Sequence, residues 1–153
     1  MYYGAFFLLA LIAVAIVVAY KDICERRIPN VCHYVILLLA YMQNTLSGNA
    51  PVSVRVFLVC FIILGIGILL SHFKIMGYGD TKLIFTASLV MPEENIIPMI
   101  YLVLFGGGVW AITWEYGLSR LAFIKKMDKV QKGIPYAIPI LFSLCLLSFI
   151  GKL

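Results

Sequence analysis

An all-α membrane protein of six transmembrane helices is the fold class this sequence predicts, and three observations predict it. Hydrophobic residues make up 63% of the chain and charged residues 12%, with a mean hydropathy of +1.05, far from the soluble range. The apolar residues form continuous runs that do not alternate, which favours helices over a barrel. The charges fall in the short stretches between those runs. A single membrane-embedded domain over 1–153 is expected from this length. The pI of about 9.1 would suit a nucleic-acid partner. Basic residues scattered among loops are better explained by topology, so the expected surroundings are a lipid bilayer and no nucleic acid.

Each element follows from its own stretch. Tyr2 to Tyr20 carries no charge and is close to the ~20 residues that cross a bilayer. No basic residue precedes it, as a cleaved signal peptide would require, so it reads as the first span. Lys21 to Asn30 follows as a charged loop, and Pro29 suits a helix start because its missing N–H would have no partner there. The second span runs from about Val31 to Leu46. Ser47 to Pro51 is a turn cluster, and Val54 to Leu70 is the third span, with Gly65 and Gly67 for close helix packing.

Beyond the loop with His72 and Lys74, the apolar run Leu83 to Met91 is too short to cross unaided. The fourth segment therefore starts at Asp80 and is shielded by its neighbours. Ile96 to Trp114 is the fifth span. Its Gly106-Gly107-Gly108 is a packing contact, because Val109-Trp110 stands where a phosphate loop needs Lys and Ser or Thr. Glu115 to Gly133 is a polar connection holding a short surface helix. The sixth span, Ile134 to Ile150, is entered through Pro135 and Pro139, which interrupt the hydrogen-bond ladder.

Six spans place alternate loops on opposite sides. The first, third and fifth loops hold ten of the twelve basic residues, leaving Arg55 and Lys152 on the other side. The positive-inside rule makes those three loops cytoplasmic and puts both termini outside, as a multi-pass protein of the cytoplasmic membrane.

Only seven Asp and Glu occur in the chain, and an acid beside a membrane segment is costly enough to need a reason. Asp80 stands in Met76-Gly77-Tyr78-Gly79-Asp80-Thr81-Lys82-Leu83. Gly77 and Gly79 lack a Cβ, so the backbone there can take positive φ and let a substrate approach. Alone, that stretch reads as a loop leading to a helix that Asp80 caps. The topology adds the second acid: Asp22 and Asp80 fall on one side at similar depth, while Glu93 and Glu94 fall on the other. Two carboxylates within hydrogen-bonding reach cannot both stay ionised, so one keeps a proton while its partner activates water. That is the requirement for aspartyl peptide hydrolysis. The helix dipoles favour Asp80 as base and Asp22 as acid. No competing constellation is present. His33 and His72 read as loop or interface residues, the four cysteines lack Cys-x-x-Cys spacing, and no metal or other cofactor is expected.

Taken together these stretches resemble the type IV prepilin peptidases, membrane aspartyl proteases of the Gly-x-Gly-Asp group. The resemblance rests on Asp22 with Arg26-Arg27-Ile28-Pro29-Asn30, on Gly77 to Leu83, and on Gly133-Ile134-Pro135-Tyr136-Ala137-Ile138-Pro139. It implies that Asp22 and Asp80 are the catalytic pair, with Gly77, Gly79, Lys82, Pro29, Asn30, Pro135 and Tyr136 binding substrate or setting loop geometry. It also implies a substrate: a prepilin, pseudopilin or preflagellin precursor that loses its short basic leader at the cytoplasmic face. The short link between the first two spans has no room for the insertion of the longer, methylating members. The chain therefore resembles the small peptidase-only form, similar to tight-adherence pilus and archaeal preflagellin peptidases, with Cys24 where such members often have Arg. Two other functions compete. A small ion or proton-coupled transporter would use the same acids along a pathway, but nothing ionisable lies in the middle of a span. A structural membrane subunit would only pair the acids with Arg26, Arg27 or Lys82.

Overall fold

The computed structural model describes residues 2–46, 53–127 and 133–150, and among them every regular element is helical. In chain order these are α1 (Tyr2–Glu25), α2 (Asn30–Leu46), α3 (Val54–His72), α4 (Tyr78–Val90), α5 (Glu93–Tyr116), the short α6 (Ala122–Met127) and α7 (Ala137–Ile150). The Ser47 to Pro51 turn lies outside the described residues. Three helical stretches are long and apolar enough to cross a membrane: Ala5–Glu25, Val54–His72 and Glu93–Arg120. The other three core helices are shorter, at 17, 13 and 14 residues for α2, α4 and α7.

Several boundaries differ from the sequence expectation. Lys21 to Glu25 is helical, because charge does not end a helix that reaches water. A Lys21–Glu25 ion pair of 2.9 Å spans that turn. The chain leaves α1 at Arg26, which takes φ 51, and Pro29 keeps the residue before it out of helical geometry. Asp22 therefore sits on a helical turn and not in a loop. At the other end of the chain α7 begins at Ala137, later than Ile134, since Pro135 has no N–H to donate. Pro139 falls in the first turn of α7, where a missing N–H is harmless. The Glu115–Gly133 connection divides into a 3₁₀ turn at Leu118–Arg120 and α6, with Asp128 to Lys132 outside the described residues.

The helices α1, α2, α4 and α7 form a ring of neighbours, with α3 lying on α4 and α5 on α7. Val18, Ile36, Leu83, Ala87, Ile140 and Leu144 meet at its centre. At 1.5 Å per residue α4 is only ~20 Å long against a hydrocarbon layer of ~30 Å. It lies between α2, α3 and α7, the shielding its length requires. The outer faces of α3 and α5 expose Phe57, Phe61, Leu104 and Phe105, a surface suited to lipid.

One glycine fixes how α4 sits. A Cβ on Gly67 would stand 2.5 Å from Thr81 Cγ2, so α3 and α4 approach closely here; Gly65 has nothing within 4 Å. The Thr81 hydroxyl donates to the Gly67 carbonyl at 3.1 Å and lies 2.8 Å from Ser71 Oγ. Thr81 follows Asp80, so this contact places the first turn of α4. We expect Gly67→Ala to destabilise the protein by about 1–3 kcal/mol through overpacking, read as a lowered unfolding midpoint in detergent. Adding Thr81→Ser, which removes the clashing methyl and keeps the hydroxyl, should recover most of the loss. A double variant as unstable as the single one would refute this account.

Candidate active site

Asp22 is buried near the end of α1, and its Oδ2 accepts the backbone N–H of Ala137 at 3.0 Å. That donor is the first residue of α7. A helix leaves its first N–H groups without intrahelical partners, and this one is turned onto a carboxylate. Asp80 is the third residue of α4, and the residue preceding the helix is Gly77, so the expectation that Asp80 is the N-cap is corrected. An acid at the third position reaches back toward the cap residue, as in a capping box. Asp80 does so: its Oδ2 lies 2.9 Å from where a Cβ of Gly77 would stand.

This changes the reason for the glycines. Gly77 is extended, with φ −74 and ψ 143, and Gly79 is inside α4; among the described glycines Gly133 alone has positive φ. Neither needs left-handed backbone. Gly77 makes room for the Asp80 carboxylate, while a Cβ on Gly79 would meet Ile28 at an ordinary 3.5 Å.

Asp22 and Asp80 line one cavity of about 350 Å³. Arg26, Arg27, Ile28 and Asn30 wall it on the α1–α2 side, and Gly77, Tyr78, Gly79 and Lys82 on the α4 side. Of the residues that the resemblance implied, Asn30, Gly77, Gly79 and Lys82 are thus brought together with the two acids. Pro29 is not part of the wall, and its carbonyl accepts the Cys32 N–H at 3.0 Å. Pro135 is fully buried and accepts Trp110 Nε1–H at 3.0 Å through its carbonyl. The Tyr136 ring packs over Gly107, where a Cβ would stand 3.2 Å from it; Gly106 and Gly108 have nothing within 4 Å. The late proline motif therefore reaches the site through Ala137 and not through Pro135 or Tyr136.

Ala137, Trp110 and Trp114 are what sequence reasoning missed. The available signal was that Ala137 is the second residue after a proline at a helix start, hence a free donor. His33 is buried between α2 and α4, with Nδ1 at 3.3 Å from Thr86 Oγ1, and His72 is exposed. All four cysteines are free thiols. Among the described residues no group of three or more His, Cys, Asp or Glu could hold a metal ion.

The first and third connections meet at the cavity, and the end of α5 lies beside them. Arg26 at the end of α1 lies over the Trp114 ring near the end of α5, 5.1 Å from its centroid. Fold and cavity define an all-helical membrane protein with an acid pair at one end. Residues 9–112 match the type IV leader peptidase family, and the chain belongs to that family. It is accordingly a peptidase, with a precursor protein of some kind as substrate. The match includes both aspartates and stops short of the 133–139 motif. No curated protein and no solved structure matches the chain.

Proposed function

We propose that the chain is an aspartic endopeptidase of the cytoplasmic membrane, which removes the short basic leader from prepilin, pseudopilin or preflagellin precursors at the cytoplasmic face. The observation that carries this reading is that Asp22 and Asp80, from different helices, face one cavity at the end where the basic loops gather. α1, α2, α3, α4, α5 and α7 supply six crossings, with both termini outside. By the positive-inside rule the cavity end is cytoplasmic.

In the reaction one carboxylate takes a proton from water, whose oxygen attacks the scissile carbonyl carbon. The other carboxyl gives its proton to the substrate. As the tetrahedral intermediate collapses, the C–N bond breaks and the amine leaves with a proton, the two acids having exchanged roles. The Ala137 N–H keeps the Asp22 carboxylate in place while its other oxygen serves the substrate. Catalysis of this kind needs neither a metal nor a methyl donor.

Incubating the purified chain with a synthetic precursor, a basic leader followed by an apolar helix, tests the activity. Leader release with one new N-terminus is the expected result, and an intact precursor would overturn the proposal. Cysteine labelling in intact cells tests the sidedness. Glu93→Cys should react with an impermeant reagent from outside and Lys126→Cys only after the membrane is opened; the reverse pattern would refute a cytoplasmic cavity.

A further inference from the structure

We propose that Trp110 and Trp114, one turn apart on α5, are positioning residues that hold the two flanks of Asp22, an inference that rests on the peptidase reading above. The first flank is the donor to the carboxylate. Ala137 N–H can hold Asp22 Oδ2 at 3.0 Å only if the segment before α7 is fixed, and that segment is not helical. Its main chain is tied down by the Trp110 indole, whose N–H donates to the Pro135 carbonyl at 3.0 Å, two residues before Ala137. The Tyr136 ring between them rests on Gly107, which lies one turn before Trp110 on the same face of α5.

The second flank is the end of α1. Arg26 N–H donates to the Asp22 carbonyl at 3.1 Å, and Arg26 then takes φ 51, a conformation that costs a non-glycine residue energy. Its guanidinium carbon sits 5.1 Å from the centroid of Trp114, which is 2% exposed, so the turn is held by a buried cation–π contact. The two indoles are 5.9 Å apart, ring to ring. One face of α5 thus grips both the peptide that donates to Asp22 and the residue that ends its helix. None of these aromatic atoms lies in the cavity wall, so the pair acts through Asp22 and not on the substrate.

The test is Trp110→Phe, which keeps a ring and removes the indole N–H, assayed beside the parent and Trp114→Phe on the synthetic precursor. A small displacement of a reacting group is costly in rate, so kcat should fall about tenfold or more in Trp110→Phe. KM should stay within about twofold, because the substrate-lining wall is unchanged. A second readout needs no catalysis. In protein labelled with ¹⁵N-alanine, the Ala137 amide proton, deshielded by its carboxylate acceptor, should move upfield in Trp110→Phe and also in Asp22→Ala. An Ala137 resonance unmoved in Trp110→Phe, or a kcat within about twofold of the parent, would overturn the proposal. If Trp110→Phe does not insert, Trp114→Leu, which removes the ring beside Arg26 and leaves the Pro135 tie intact, is read by the kcat against KM split, and a kcat within about twofold of the parent again overturns the proposal. A parent protein that cleaves no precursor would defeat the peptidase reading, while the Ala137 resonance would still decide whether the Trp110 indole positions the donor to Asp22.

Discussion

Asp22→Asn and Asp80→Asn are each expected to lower precursor cleavage by roughly 10³-fold or more, the scale on which a positioned acid or base contributes. Asparagine keeps the size of the side chain and still offers an oxygen to the Ala137 N–H, so the Asp22 substitution leaves that hydrogen bond possible. What it removes is the capacity to take and return a proton. The chain should therefore insert and purify as the parent does. Because the pair acts as a unit, the double variant should be little worse than either single one, which separates a catalytic dyad from two independent contributors. Cleavage within about tenfold of the parent, a loss of only ~1.4 kcal/mol of transition-state stabilisation, would remove that aspartate from the mechanism.

Gly77→Ala should produce the next largest loss, about 10²-fold in turnover, because it displaces a reacting group without deleting it. The new methyl would stand 2.9 Å from Asp80 Oδ2, too close for carbon and oxygen, and the carboxylate would have to rotate away from the cap position. Insertion and thermal stability should change little, since a side-chain end and no backbone gives way. Gly79→Ala is the contrast. Its methyl meets Ile28 at an ordinary distance inside a helix, where alanine is favoured over glycine by about 0.5–1 kcal/mol. That variant should be as stable as the parent or more so, and lose far less activity. Equal losses of kcat in the two alanine variants would show that the stretch is sensitive to any side chain, and that Gly77 has no particular relation to Asp80.

The helical membrane class and the apolar run inside each long helix were legible in the sequence. So was the candidate pair, since Asp22 and Asp80 each stand at the end of an apolar run, next to connections of the same parity. These features follow from partition between water and hydrocarbon, which acts on each segment separately and leaves its mark in run length and in where charge is allowed. What surrounds the pair was decided by the tertiary structure alone. The Ala137 N–H reaches Asp22 because α7 packs between α1 and α5, and the indole that steadies it comes from a third helix. Gly67 and Gly107 pack closely while Gly65, Gly106 and Gly108 do not, although each stands among other glycines in an apolar run. Hydrophobicity is nearly the same all round such a helix, so no period marks which face meets a neighbour. Inside a membrane the sequence determines which segments are helices and which of their ends carry charge, whereas the faces that touch, and so the donors brought to each acid, are settled only by how side chains of particular shape fit together.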